Sequence, residues 1–430
     1  MSNQKKQWAA IIVMIGLFAM IAFVTNLCSP MGVIVKNQFG CSNFEAMIGN
    51  FGNFGAYLLM GIPSGLMIAK YGYKKTALIG LLVGITGIVV QYLSGMCGKE
   101  NGFMVYLIGA LISGCCMCIL NTVVNPMLNI LGGGGNTGNQ LIQIGGVFNS
   151  SAAVAVYIIM GALIGDAAKA KIADATPALM IALAIFVVAF IIIFFTKINE
   201  PKQAPVDLSL IKGACKFRHF LLGALAIGIY GSIEMGPPAF ILQYLTAAPD
   251  AATPGLGMDA GYAGTLGAVF FILMLVGRFV GASVGAKVST KAMITAVATL
   301  SIIFTAAGIF LPSEVTVSVP GINYVEMALV WDEIPVGVFF FLLIGLCASV
   351  MWGGIFNLAT EGLGKYTAMA SGIFMTMVVG FALMVGLQGW VADFTGSYLS
   401  SFFVPLAAGV YILWYALMGS KNVNKDIKVD

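Results

Sequence analysis

Twelve apolar stretches, each about long enough to cross a bilayer, take up most of this chain. They run approximately over 8–28, 43–69, 76–95, 103–131, 140–165, 177–197, 217–247, 260–287, 291–311, 335–360, 367–392 and 398–419. Ionisable side chains are scarce between and within them. Asp, Glu, Lys and Arg make up 9% of the 430 residues, whereas an ordinary soluble domain carries about 25%. A soluble chain of this length could not cover its surface with so few charges. That excludes a soluble enzyme, a nucleic-acid binder and a disordered protein. The pattern predicts an all-α membrane protein with 12 transmembrane helices. Its surroundings are a lipid bilayer and not nucleic acid, and it is expected to act as a monomer. The first apolar run follows Lys5 and Lys6. It is longer than a signal-peptide core and reads as an uncleaved first helix.

The few charges orient the chain. With the N-terminus inside, sixteen of the 21 Lys and Arg fall in inside segments. Four (Lys36, Lys99, Lys169 and Lys171) fall outside, and Arg278 lies within a span. Basic residues collect on the cytoplasmic side, so both termini are predicted to be cytoplasmic. The longest polar connection holds Lys202, Lys212 and Lys216. It divides the chain into a six-helix half at 1–197, a cytoplasmic linker at 198–216, and a second six-helix half at 217–430 that ends in a short tail. A further link, 312–334, carries Glu314, Glu326, Asp332 and Glu333 without Lys or Arg, and reads as an acidic loop. The halves repeat weakly: Gly65 precedes Lys75, and Gly281 precedes Lys291, by the same ten residues. Two parallel six-helix halves, each with a basic turn after its second helix, is the major facilitator plan. Lys75 and Lys291 are therefore candidate structural or gating residues.

A charge kept inside a span needs a reason. Glu234 lies midway along the seventh span, just before Gly236-Pro237-Pro238. These residues favour a broken helix, and broken helices near the membrane centre commonly line substrate or ion sites. Glu234 is the candidate cation-coupling residue, taking a proton or Na⁺. Arg278, lower in the eighth span, is read as structural or gating, free to snorkel or to pair with a carboxylate or a helix end. Uncharged polar groups supply the substrate candidates: Asn26, Asn121, Asn125, Gln143, Asn149, Asn357 and Gln388. Amides both donate and accept hydrogen bonds, which suits a polyhydroxylated solute. Tyr230 and Trp352 could stack on the apolar face of a sugar ring. Glu45, Asp166, Glu361 and Asp393 fall near helix ends, where capping or solvation suffices. Cys115, Cys116 and Cys118 sit mid-span as small apolar residues far from the single His219, with no zinc spacing, so no resident metal is expected. The glycine run from Gly132 to Gly135 lacks the Lys and Ser or Thr of a nucleotide-binding loop. No cofactor is expected.

These motifs together resemble those of the fucose–galactose–glucose:proton symporter family of the major facilitator superfamily. The resemblance rests on T-N-L at Thr25–Leu27, S-N-F at Ser42–Phe44, and P-S-G followed by Y-G-Y-K-K between Pro63 and Lys75. It continues with N-P at Asn125–Pro126, F-N-S at Phe148–Ser150, V-G-R-F-V-G at Val276–Gly281, E-G-L-G-K-Y-T at Glu361–Thr367, and Gln388-Gly389. It implies a bacterial inner-membrane transporter, not an enzyme, that takes up a monosaccharide by alternating access in symport with a cation. It carries over Asn26, Asn125, Asn149 and Gln388 as cavity candidates. The chain departs from the family where acids are usual, since Ser29 and Asn121 occupy those places and leave Glu234 as the buried acid. Met351-Trp352-Gly353-Gly354 likewise replaces a proline-containing stretch. An uncoupled sugar facilitator, or a transporter for another small polar solute, is the alternative.

Overall fold

The computed structural model describes residues 8–131, 135–164, 170–196, 198, 209–284, 288–323, 328–363, 366–424, 426 and 427. The first part of the chain forms α1 (Trp8–Phe39), α2 (Asn43–Ser94), α3 (Gly98–Leu131), α4 (Gly135–Ile164) and α5 (Thr176–Phe195). A short α6 (Ser209–Ala214) lies in the predicted linker. The second part forms α7 (Arg218–Glu234), α8 (Gly236–Thr246), α9 (Ala260–Val284), α10 (Thr290–Phe310) and α11 (Val336–Thr360). It ends with α12 (Thr367–Thr376), α13 (Val379–Thr395), α14 (Tyr398–Ser401), α15 (Phe403–Trp414) and a π-helical turn at Tyr415–Gly419.

Eleven segments among the described residues are helical, long and apolar enough to cross a membrane, and each answers to a predicted stretch. The remaining stretch, 43–69, is helical as well. It forms the part of α2 before Gly72, where a φ of 80° turns the chain out of helical conformation. The helices turn apolar side chains outward, as lipid contact requires. Leu58, Leu59, Ile62 and Leu66 are exposed along one stripe of α2, and Ile191, Ile192, Phe194 and Phe195 at the end of α5. Helix α1 runs eleven residues past its predicted end. Met31, Val33, Ile34 and Val35 continue the apolar pattern there and are buried, so nothing in the packing stops the helix at bilayer length.

The all-helical expectation needs one correction. The link at 312–334 is not a plain loop, because β1 (Thr316–Asn323) and β2 (Ala328–Pro335) pair antiparallel, with Thr316 opposite Pro335 and Asn323 opposite Ala328. Among its acids, Val315, Val317 and Val319 alternate with a strand period. The Tyr262 phenol on α9 ties the ribbon down, donating to Val319 O at 2.8 Å and lying 3.3 Å from Asp332 O.

The repeat appears in the contacts. Lys74, at the start of the third predicted helix, donates to the carbonyls of Phe194 and Thr196 at the end of the sixth, at 2.9 and 2.8 Å. Lys291, at the start of the ninth, donates to Leu417 O near the end of the twelfth at 2.9 Å. A cation at a helix C-terminus satisfies carbonyls that have no helical partner. The residue matching Lys291 in this role is Lys74, one position from the predicted Lys75, which is exposed.

The two parts of the chain meet along α2 against α13 and along α4 against α9. At one end Gly161 and Gly264 approach so closely that a Cβ on Gly264 would stand 2.8 Å from Gly161 Cα. At the same end Lys36 donates to the Tyr398 hydroxyl at 3.1 Å. There, too, Ser42 and Glu45 form the reciprocal cap that S-N-F-E spells, and the next amide, Phe44 N–H, donates to Asp393 Oδ2 at 2.8 Å. Asp393 thus caps a helix of the opposite part of the chain and not its own. The charge count assigns this end to the outside.

Helices α7 and α13 cross at bare backbone, where a Cβ on Gly380 would lie 2.3 Å from Gly228 Cα. Neither backbone can yield without separating the helices. Gly380→Ala is therefore expected to lower the melting temperature in detergent measurably, by the roughly 1–3 kcal/mol typical of overpacking. Gly372→Ala, where a Cβ meets nothing within 4 Å, is expected to leave it unchanged. Equal melting temperatures for the two variants would refute this close packing.

Candidate functional site

Between the two parts of the chain lies a cavity with about 670 Å³ of empty space, its mouth included. Phe18, Ile21, Ala22, Thr25 and Asn26 of α1 form one wall. Their spacing of three, four, seven and eight residues from Phe18 places them on a single helical face. Phe54 and Tyr57 of α2, Asn121 of α3 and Asn149 of α4 complete that side. Opposite stand Glu234, Met235, Arg278, Trp352, Val378 and Phe381.

The broken helix predicted around Glu234 is present. Helix α7 ends at Glu234 and α8 begins at Gly236. Proline has no N–H, so Pro237 and Pro238 leave the carbonyls of Ile233 and Glu234 without their usual helical donors. Beside this break α13 begins after a tight turn, in which Val378 N–H donates to Met375 O and Phe381 N–H to Val378 O. Two interrupted helices therefore put Glu234, Met235, Val378 and Phe381 on the cavity wall.

Aromatic rings form the wall around Phe381. Its ring centroid lies 5.2 Å from Phe54, 5.8 Å from Tyr230 and 6.0 Å from Trp352. Phe54 and Phe381 come from opposite parts of the chain, so this contact joins the two sides of the cavity lining. Tyr230 supports the wall from behind. It is buried, and its hydroxyl donates to Ala348 O at 2.9 Å.

The amides occupy the other side. Asn26 Nδ2 donates to Ala22 O at 2.8 Å, Asn149 Nδ2 to Phe18 O at 3.1 Å, and Asn121 Nδ2 to the Tyr57 hydroxyl at 2.7 Å. Asn121 thus fills a place where the family resemblance implies an acid, with a neutral bond to a phenol. Ser29, the other substitution for an acid, has a side chain outside the described residues.

Of the roles open to Arg278, the structure places it beside a carboxylate rather than at a helix end. It lines the cavity with Glu234 and donates a hydrogen bond to the carbonyl of Gly146 on α4, across the interface. Opposite charges therefore share one wall, and one of them reaches the other part of the chain.

Several candidates fall elsewhere. The side chains of Asn125 and Gln143 lie outside the described residues. Asn357 is exposed and does not line the cavity. Gln388 is fully buried behind it, with Nε2 3.3 Å from Ser401 Oγ, and Gly236 packs against its Oε1. A larger residue at the α7–α8 break would have to displace the Gln388 amide. His219 is buried at the start of α7, with Nε2 3.0 Å from Glu361 O. Sequence reasoning missed Phe18, Ile21, Ala22, Phe54, Tyr57 and Phe381. The first three were readable from the face shared with Asn26, but the aromatic residues resemble any lipid-facing Phe or Tyr until the helices are placed.

No protein-family model matches the chain. It is 29% identical over 429 residues to the glucose/galactose transporter of Brucella abortus, covering 98% of this chain and 96% of that one. It is 20% identical to the L-fucose-proton symporter of Escherichia coli, covering 94% of this chain and 92% of that one. Among solved structures it matches the major facilitator transporter FucP with a TM-score of 0.68, at 18% identity, over 96% of this chain and 99% of that one. The fold is that of the major facilitator superfamily. The resemblance to the fucose–galactose–glucose:proton symporters is borne out by relatives of both kinds. Those relatives are transporters and not enzymes, and this chain is a multi-pass integral protein of the bacterial inner membrane.

Proposed function

We propose that this chain imports a monosaccharide, a hexose or deoxyhexose, by alternating access in symport with a cation. The observation that carries this reading is the composition of one cavity. Amides on α1, α3 and α4 face the rings of Trp352 and Phe381, and a single carboxylate, Glu234, stands among them. Sugars present hydroxyls on their edges and C–H groups on their faces, so one wall binds the edge and the other stacks on the face. The names of the relatives support a sugar, and that of the L-fucose-proton symporter supports a proton as the coupling ion. Na⁺ at Glu234 is the other candidate.

In this reading twelve spans form two halves, 1–197 and 217–430, joined by the linker 198–216, with both termini cytoplasmic. The halves rock about the cavity. The contacts of Lys36 with Tyr398 and of Asp393 with Phe44 N–H close the outside entrance and must part when it opens. An ionised Glu234 in a closing, water-poor cavity is costly. Neutralising it with a proton and filling the amide wall with sugar lower that cost together, which couples the two movements. A second reading has a specific basis. Asn121 and Ser29 leave the familiar acidic positions neutral, which suits an uncoupled facilitator.

Purified full-length protein in proteoliposomes separates these readings. Labelled glucose, galactose and L-fucose are offered with proton and Na⁺ gradients imposed separately. At least one sugar is expected to accumulate above equilibrium under the proton gradient. Uptake that stops at equilibrium under both gradients would establish the facilitator. Absence of uptake for all three would overturn sugar import and point to another small polar solute.

A further inference from the structure

The β-ribbon between α10 and α11 presents large apolar side chains on one face. Residues opposite one another in an antiparallel pair share a face. The register places Ser318 with Glu333, Pro320 with Trp331, and Ile322 with Leu329 on one side. Gly321, opposite Val330, belongs to the other side. There the Tyr262 ring of α9 packs so closely that a Cβ on Gly321 would strike it. The first face therefore looks away from α9. Its half toward the turn is apolar, with Leu329 64% and Trp331 61% exposed. Its half toward the helices is polar, and there the Thr316 hydroxyl donates to Glu333 Oε2 at 2.9 Å.

Two attachments fix how the ribbon stands on α9. The Tyr262 hydroxyl holds the Val319 and Asp332 carbonyls, and three residues further along β1 the Ile322 N–H donates to Thr265 Oγ1 at 3.3 Å. Thr265 lies five residues, about 7.5 Å, inside α9 from Ala260, the end that the charge count assigns to the outside. The ribbon thus descends along α9 toward the membrane, and its apolar half is the lower one. The 25 residues of α9 span about 37 Å against a hydrocarbon core of about 30 Å. Ile322 and Leu329 therefore reach the level at which the core begins. Below Thr265 the same side of α9 carries Ile272, Val276 and Val280, seven, eleven and fifteen residues on, and all three are exposed.

We propose that this ribbon is a membrane anchor. Its Pro320, Ile322, Leu329 and Trp331 face docks into the boundary between headgroups and acyl chains of the leaflet on the outside. The partner is lipid for two reasons. The patch continues the lipid-facing stripe of α9, and its polarity changes with depth, since Ser318 and Glu333 stand above Trp331 and Leu329. Tryptophan favours this boundary because its ring is apolar while its N–H reaches the headgroups. The anchor fastens the outer end of α9, the helix that meets α4 at Gly161 and Gly264.

The test uses full-length protein in phosphatidylcholine vesicles. Subtracting the emission of Trp331→Phe from that of the native chain isolates one indole among five. That emission is expected at short wavelength. It should lose most of its intensity when the lipid acyl chains carry bromine near the headgroups, less with bromine at the chain ends, and little with acrylamide in the water. The double variant Leu329→Trp/Trp331→Phe moves the indole within the apolar half and should keep this pattern. Glu333→Trp/Trp331→Phe moves it upward and should weaken quenching by bromine and strengthen quenching by acrylamide. All three positions are exposed, so unchanged circular dichroism is expected throughout. Long-wavelength emission quenched by acrylamide and not by bromine would put the ribbon in water and overturn the anchor. Shielding from both quenchers would mean a protein cover, such as a second copy of this chain, and would overturn it equally.

Discussion

Glu234→Gln is expected to abolish accumulation of sugar against its gradient while exchange of labelled for unlabelled sugar continues at a reduced rate. Glutamine keeps the size of the side chain and an acceptor oxygen for the groups beside it, but it cannot take up and release a proton. Placing a carboxylate charge at the centre of a membrane helix costs about 2.5–3.5 kcal/mol. That corresponds to a roughly hundredfold bias against closing the cavity around sugar while Glu234 is ionised. In the proposed cycle this bias would hold back a sugar-loaded, proton-free carrier and so tie sugar to proton. In the variant the bias is absent, so the loaded carrier moves freely in both directions and sugar only equilibrates. The measurement is paired: uptake under an imposed proton gradient, and counterflow with no gradient. Full accumulation by the variant would remove Glu234 from the coupling role. Loss of counterflow along with accumulation would make it a structural carboxylate.

The chain shows how unevenly a multi-span membrane protein is written in its sequence. Spans were legible because lipid demands long apolar runs. Glu234 was legible because a charge in such a run is rare, and the break beside it because two prolines cannot donate to a helix. The S-x-x-E spacing of Ser42 and Glu45 obeys the local capping rule. Contacts between distant segments were not. Nothing near Asp393 announces that its carboxylate caps Phe44 on the other part of the chain, because both residues make sense as ordinary helix-end groups. Phe54 and Phe381 meet at 5.2 Å, yet each also fits a lipid-facing position, since membrane helices are apolar on both sides. The ribbon at Thr316–Pro335 was hidden because its charges were easier to see than its alternation. The amide wall falls between these cases. Asn26 and Asn149 were identifiable as polar groups within spans, but the direction in which each oxygen points depends on the carbonyls of α1.

The place of Arg278 beside Glu234 and Gly146 leads to a sharper expectation than its sequence position alone. Arg278→Gln should depress both accumulation and exchange, unlike Glu234→Gln, because Arg278 serves two partners. It opposes the charge of Glu234 in one cavity, and it holds the Gly146 carbonyl across the interface between the two parts of the chain. A hydrogen bond from a charged donor is worth about 1.5–3 kcal/mol. Its loss should weaken the packing of α4 on α9 and misplace the wall that carries Asn149. Arg278→Lys keeps the charge but not the planar fork that reaches two groups at once, so it should recover only part of the activity. The double variant Glu234→Gln/Arg278→Gln separates the two roles. Removing one partner of a buried pair leaves an uncompensated charge, whereas removing both does not. The double variant should therefore melt at a higher temperature than either additive expectation or Arg278→Gln alone, and it should regain exchange without regaining accumulation. Strict additivity of the two single effects, within about 0.5 kcal/mol, would mean that the two charges do not act on each other. Arg278 would then be reduced to its hold on Gly146, and the cation would have no part in setting when Glu234 can close into the membrane.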